Sequence, residues 1–327
     1  MLTVAVTGAT GFVGRYAVRA LLARGHAVRA LVRDVARVRG VLPEEALDRR
    51  ALALVTGDAL DPGAVRELTR GCGAVVHLVG IIRPEGGQTF HKLHVEATRN
   101  VIGACQATGA DRLIHVSALG IGPEGASAYQ KTKWEAEVLV RRSGLAWTIF
   151  RPSFIHGPEG EFVQMVKGMA SGQEPPWYFM PYFTRKRVDD RVPLGAAIPE
   201  PARVQPVAVE DVAEAVARAL ENPRARGEIY NLVGPDVLAW PELLRLMRDG
   251  LPGANHGMPI AGVPGDLAMV AAKVAAALGL GNLMPYDAGQ AIMAMQDSTA
   301  ETSKVRAHLG LTPRPFAETF AAYAARA

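Results

Sequence analysis

A run of spaced glycines and a tyrosine–lysine pair carry most of the chemistry legible in this chain. Gly8-Ala9-Thr10-Gly11-Phe12-Val13-Gly14 has the spacing GxxGxxG, follows a short apolar run and opens a helical pattern. In that context Gly8 permits a sharp turn, Gly11 lets a bulky anion approach the main chain, and Gly14 lets helix and strand pack closely. The helix N-terminus adds free N–H groups and a partial positive charge. Gly8, Thr10, Gly11, Phe12, Val13 and Gly14 are therefore the candidate cradle for the pyrophosphate of a dinucleotide. Tyr129 and Lys133 stand four apart in a helical pattern and share one face. An ammonium beside a phenol favours phenolate and lowers the phenol pKa. Such a pair can exchange a proton with an alcohol or carbonyl, and Lys133 can also hold a ribose. Ser117, at the end of an apolar run, is the candidate to polarise the carbonyl. Tyr182 and Lys186 repeat the spacing, but in a Pro-, Gly- and aromatic-rich stretch with no strand before them.

Further subsites follow from the same logic. The second apolar run ends at Val32-Arg33-Asp34. An acid there would take the ribose 2′-hydroxyl of NAD, and an arginine the 2′-phosphate of NADP. Arg33 comes first and Arg15 follows the last glycine, so two cations favour NADP, with NAD the alternative. Asp58 and Ala59, after the third run, are placed to meet the adenine. Leu78 and Val79 close the fourth, where the backbone must pass near the ribose.

Those residues need a sheet edge to hold them. Short apolar runs at Leu2–Thr7, Ala27–Val32, Leu52–Thr56, Ala74–Val79, Leu113–Ser117 and Trp147–Phe150 alternate with helical patterns at Val13–Arg24, Pro62–Arg70, Val95–Thr108 and Ala128–Arg142. This alternation predicts an α/β Rossmann fold, a doubly wound parallel sheet with helices on both faces. Gly172–Pro193 reads as irregular, strand and helix character returns at 204–220 and 229–233, and the tail from Trp240 reads as helical apart from Leu251–Gly265. The division expected is a nucleotide-binding domain of 1–157 with 203–235, and a smaller, mostly helical substrate lobe of 158–202 with 236–327.

Composition narrows the class. At 327 residues the chain is long for one core, and its net charge of +4 suits an anionic small ligand. No basic run or basic–aromatic cluster argues for nucleic acid. Arg185-Lys186-Arg187, followed by Asp189, Asp190 and Arg191, reads as a solvated mixed-charge loop. Two cysteines make no disulfide framework or zinc pair, and the expected compartment is the reducing cytoplasm. Ile260–Leu283 is apolar but broken by Pro264, Asp266 and Lys273, so it reads as an amphipathic helix: a core lid, or a membrane-surface or partner-facing helix. His91, His94 and Glu96 lack a third ligand at zinc spacing, and no metal site is expected. His156 would lie near the nicotinamide pocket, touching substrate or making loop contacts. Trp177, Tyr178, Phe179, Tyr182 and Phe183 could wall a pocket, meet a partner or pack a lid.

Gly8–Gly14, Asp58, Ser117, Tyr129, Lys133 and Arg151-Pro152-Ser153-Phe154-Ile155-His156-Gly157-Pro158 together resemble the extended or atypical short-chain dehydrogenase/reductase superfamily. Gly8–Tyr16, His115–Gly120 and Met284–Leu311 more closely resemble the family of the NADPH-binding accessory subunit of respiratory complex I and its bacterial relatives. The resemblance implies NAD(P) binding, with Pro152 and Ser153 among the cofactor contacts, and a cleft between two lobes. It carries three readings. One is an oxidoreductase or epimerase acting on a small carbonyl or alcohol substrate. Another is a nucleotide-holding scaffold or assembly subunit, alone, as a homodimer or within a larger complex, since Ala118 and Leu119 stand where enzymes of the extended type usually carry Ser or Thr. The third is a regulator that senses NADP against NADPH.

Overall fold

The computed structural model describes residues 1–48, 50–188, 197–280, 284 and 286–326. The first half runs β1 (Thr3–Thr7), α1 (Phe12–Ala23), β2 (Ala27–Val32), α2 (Glu44–Asp48), β3 (Leu52–Thr56), α3 (Pro62–Thr69), β4 (Ala74–His77), α4 (Ala97–Thr108), β5 (Arg112–Val116), α5 (Ala128–Arg141) and β6 (Ala146–Pro152). A 3-10 turn (Val35–Val38) follows β2, and a π-helical turn (His91–Glu96) leads into α4. The second half runs β7 (Ile155–His156), α6 (Glu161–Ala170), β8 (Met180–Val188), β9 (Ala197–Pro201), β10 (Arg203–Val204), β11 (Val207–Ala208), α7 (Val209–Glu221), β12 (Glu228–Leu232), β13 (Leu238–Ala239), α8 (Trp240–Gly250), β14 (Ile260–Pro264), α9 (Gly265–Ala277), α10 (Ala288–Ala294), α11 (Ser303–Leu309) and α12 (Phe316–Ala324).

Seven parallel strands form the main sheet in the order β12-β6-β5-β4-β1-β2-β3. The chain is a Rossmann-type α/β protein. Strand order reverses between β1 and β4, with Val4 opposite both Val28 and Ala74. At such a switch point the loops diverge and leave a crevice outside the strand ends. Strand residues alternate between two cores. Val4, Val6, Val28, Val76, Ile114 and Phe150 face α1 and α7, whereas Ala5, Leu31, Val75, Leu113 and Ile149 face α3, α4 and α5. A sheet covered on both sides explains why its strands read as continuous apolar runs. A third core joins Val163 and Val166 of α6, Leu243 and Met247 of α8, and Phe316 and Phe320 of α12. Val305 and Leu309 of α11 return to the α7 side of the first core.

Two stretches differ from the sequence reading. Gly172–Pro193 contains β8, which pairs in parallel with β14 and antiparallel with β9. Leu251–Gly265 contains β14. The prolines that suggested loops sit near strand ends, at Pro181 and Pro264, where a missing N–H costs least. Arg185, Lys186 and Arg187 are consequently strand residues and not a solvated loop. They pair with Glu200, Asp266 and Asp297. Asp189, Asp190 and Arg191 lie outside the described residues.

Candidate functional site

The glycine turn has the shape that its spacing demands. Gly8 sits at φ +73°, and a Cβ there would lie 2.9 Å from the Leu78 carbonyl carbon. A Cβ on Gly14 would lie 1.9 Å from Gly8 O. The backbone thus closes on itself between β1, the end of β4 and the start of α1, with Leu78 and Val79 against Gly8. Gly11 caps α1 with no side chain, and no acid stands in the first turn. The Gly11 amide donates to Gly8 O (3.0 Å) and the Arg15 amide to Gly11 O (3.1 Å). The amides of Phe12, Val13 and Gly14 are left without acceptors among the described residues. Thr10 flanks them, half-buried. Such a cradle, one that side chains would fill, fits a diphosphate.

The two expected cations separate. Arg33 is exposed at the tip of β2 and forms no ion pair among the described residues. Arg15 instead turns to Glu159 (3.7 Å), which also accepts from the Tyr16 hydroxyl (2.7 Å). Asp34 accepts from the Ala36 amide (2.9 Å) and caps the 3-10 turn. Asp58 accepts from the Leu60 amide (2.9 Å), and Ala59 O accepts from Asn100 (3.1 Å), so α4 ties that loop down. Pro152 O accepts from the Leu119 amide (2.8 Å). The Ser153 hydroxyl donates to Gln205 O and so is engaged within the protein.

α5 is started by Ser127, whose hydroxyl accepts from the Gln130 amide while the Gln130 side chain accepts from the Ser127 amide. This capping box fixes where Tyr129 emerges. The Tyr129 ring meets Phe90 and His94 edge-on, at centroid distances of 5.8 and 5.4 Å. Its hydroxyl has no partner among the described residues. Lys133 is buried, with Nζ donating to Val116 O (3.0 Å), and a Cβ on Gly80 would lie only 3.2 Å from Nζ. Burial pushes the Lys133 ammonium down to about 8, opposed by Glu137. Burial likewise pushes the Tyr129 phenol up to about 12. The shift runs opposite to the lowering expected from Lys133, because burial penalises the phenolate. Ser117, just beyond β5, is buried and its hydroxyl is unpartnered.

Near this pair lie buried polar side chains to which, His94 apart, the sequence reading gave no role. His77 and His115 are adjacent in the sheet, with stacked rings 5.4 Å apart. Thr98 donates its hydroxyl to His94 O (2.5 Å) and must therefore accept from His77 Nε2 (3.1 Å). His77 Nδ1 is then left to accept from Thr7 (2.7 Å). Burial pushes His77 down to about 3, which keeps the imidazole neutral and leaves Nδ1 as the acceptor. The π-helical turn presents His94 inward, where Nδ1 meets Thr132 of α5 (2.9 Å) and Nε2 meets Ile81 after β4 (3.1 Å). His94 thus clamps the β4 loop to the helix carrying Tyr129 and Lys133. Glu137, fully buried, receives a two-pronged pair from Arg151 (2.8 and 2.7 Å). The signal in the sequence was polar residues inside otherwise apolar strands.

Other candidates resolve differently. His91 turns to Glu96 (3.2 Å), away from His94. Tyr182 and Lys186 lie on a strand, where four residues span about 13 Å. His156 is fully buried between Tyr323 (3.1 Å) and Thr319 (3.3 Å) of α12, so it anchors the C-terminal helix and does not face a pocket. The aromatic cluster disperses: Tyr182 joins the third core, Phe183 meets Tyr286 at 4.8 Å, and Trp177 and Tyr178 are exposed.

The glycine cradle at the switch point of a doubly wound sheet defines a nicotinamide-dinucleotide-binding protein of the short-chain dehydrogenase type. Residues 8–174 match the family model described as NAD(P)H-binding, and the chain belongs to that family. It is 29% identical over 256 residues to ceramide reductase of Caulobacter vibrioides, covering 78% of this chain and 70% of that protein. It is 24% identical over 250 residues to the mitochondrial NADH dehydrogenase [ubiquinone] 1 alpha subcomplex subunit 9 of Dictyostelium discoideum, covering 76% of this chain but only 64% of the relative. The fold matches the Bordetella bronchiseptica enzyme WbmH, solved in complex with NAD+, with a TM-score of 0.70 and 20% identity over 99% of this chain and 97% of that one. The chain thus sits among reductase- and epimerase-like NAD(P)-binding proteins. Among the described residues no helix is long and apolar enough to cross a membrane.

Proposed function

We propose that this chain is an NADP(H)-dependent oxidoreductase or epimerase for a carbonyl or alcohol substrate, with Tyr129 as acid and base. The observation that carries the reading is the buried, unpartnered Ser117 Oγ at the end of β5 together with Tyr129 at the head of α5, whose hydroxyl has no partner among the described residues, on the edge of the sheet that holds the glycine turn. The bound nicotinamide supplies the hydride. A phenol held near 12 stays protonated at neutral pH and is ready to donate to a carbonyl oxygen. Ser117 donates to the same oxygen and polarises it. Proton transfer leaves phenolate at Tyr129, and the buried positive charge of Lys133 stabilises it. Lys133 also holds the nicotinamide ribose. Gly8, Thr10, Gly11, Phe12, Val13 and Gly14 hold the pyrophosphate, Arg33 the 2′-phosphate, Asp58 and Ala59 the adenine, and Leu78, Val79 and Pro152 the sugar side of the cleft. A lipophilic carbonyl compound is the favoured substrate class, supported by the similarity to ceramide reductase and by Phe90 against the Tyr129 ring.

One observation favours a second reading, a nucleotide-holding subunit without turnover. The Lys133 ammonium is bonded to Val116 O, and burial raises the Tyr129 phenol where a catalytic pair would lower it. Similarity to the complex I subunit points the same way. The test follows NADPH absorbance against long- and short-chain ketones, aldehydes and nucleotide sugars. Consumption that Tyr129→Phe reduces at least a hundredfold supports the enzyme. Tight NADPH binding with no turnover on any of them refutes it and leaves the scaffold.

A further inference from the structure

α9 is apolar on two opposite sides. Gly265, Ala268 and Ala272 face inward, against α10 and β8. The opposite side carries Leu267, Val270, Val274 and Leu278, between 51% and 68% exposed. These four recur at i, i+3, i+7 and i+11 and form one continuous stripe. A helix apolar all round is normally covered all round. Here, among the described residues, the protein covers one side only.

The stripe's size and chemistry select its cover. Its four side chains expose on the order of 400 Å² of apolar surface, a functional-scale patch but half of the ~800 Å² per partner typical of a stable dimer. It is a convex row of short aliphatic side chains, without the Trp, Tyr or Arg anchors that dominate protein–protein interfaces. Lys273 stands exposed on its flank, unpaired among the described residues. At the start of the helix Lys186 is paired with Asp266 (3.3 Å) and so adds no free charge, while the whole chain is at net +4. Aliphatic ridge, the Lys273 ammonium on its flank and positive chain match an interface with anionic phospholipid headgroups above acyl chains. The helix is too short to cross a bilayer and long enough to lie in its surface.

The inner side of the same hairpin reaches the proposed reaction centre. Gln296, after α10, accepts from the Gln130 side chain (2.7 Å), and a Cβ on Gly289 would lie 3.5 Å from Ser127 Cβ. We infer that α9 is a peripheral membrane-docking helix, seating the chain on an anionic bilayer with α10 between it and the head of α5. As a route for lipophilic substrate this rests on the function proposed above; as a docking surface it stands alone.

The full-length protein is floated with vesicles of phosphatidylcholine mixed with phosphatidylglycerol, and with phosphatidylcholine alone. Wild type is expected to float with the mixed vesicles and at least fivefold less with the neutral ones. V270D/V274D, at exposed positions, is expected to lose at least tenfold in partitioning while keeping its melting temperature and NADPH affinity. Absence of wild-type flotation, or flotation unaffected by the double substitution, overturns the inference. Light scattering that shows a dimer dissociated by V270D/V274D overturns it too, because a second copy then covers the stripe. Flotation without any carbonyl turnover leaves the docking helix standing and removes only the enzyme reading.

Discussion

Substituting Gly14 by alanine tests the physical basis of dinucleotide binding. A Cβ at that position would meet Gly8 O at 1.9 Å, Gly8 C at 2.8 Å and Ala9 C at 2.9 Å, all backbone atoms. Ordinary contact begins at 3.4 Å, so the start of α1 must withdraw from the turn by 3.4 minus 1.9, or 1.5 Å. Overpacking of this kind costs about 1–3 kcal/mol, only partly offset by the ~0.5–1 kcal/mol by which alanine improves a helix. The same shift carries the Phe12 and Val13 amides away from the phosphates. One charge-assisted bond is worth about 1.5–3 kcal/mol, so losing one weakens binding roughly 10- to 150-fold. Fluorescence titration with NADPH measures the affinity, and thermal unfolding measures the stability. Gly103→Ala is the control, since that α4 glycine would meet nothing within 4 Å. It should gain about 0.5–1 kcal/mol and leave binding unchanged. A Gly14→Ala protein that binds NADPH within twofold of wild type, at an unchanged melting temperature, would refute the cradle.

Three further outcomes are expected. Arg33→Ala should weaken NADPH binding at least tenfold in calorimetry and leave NADH nearly unchanged, and equal losses would remove Arg33 from the 2′-phosphate. Glu137→Ala strands the Arg151 guanidinium against a buried site and should cost about 3–5 kcal/mol in urea unfolding. The buried histidines His77, His94 and His156 are all pushed down to about 3, so the unfolded chain binds more protons than the folded one between about pH 3 and 6.5. Stability is therefore complete above about pH 6.5 and falls with acidity at roughly 1.4 kcal/mol per pH unit for each histidine. His156→Gln should flatten that slope in pH-resolved denaturant melts, and an unaltered slope would show that His156 is not held neutral.

The parts of this protein that were legible in one dimension are those set by neighbours in the chain. GxxGxxG between a strand and a helix specifies a turn because only glycine accepts φ +73° at Gly8 and a missing Cβ at Gly14. The six leading strands read as apolar runs because both sheet faces are covered, and Ser127-x-x-Gln130 marks the start of α5 by local hydrogen bonding. Pairing between β8 and β14 was invisible, because partners about eighty residues apart are chosen by packing and prolines near their ends mimic loops. The direction of Arg15 toward Glu159, the bond from Lys133 to Val116 O and the Glu137–Arg151 pair likewise join residues that no spacing rule relates. Residue types named the possible acids and bases. Their protonation was decided by tertiary burial, which withdraws water from His77, Tyr129 and Lys133 and so penalises the charged form of each.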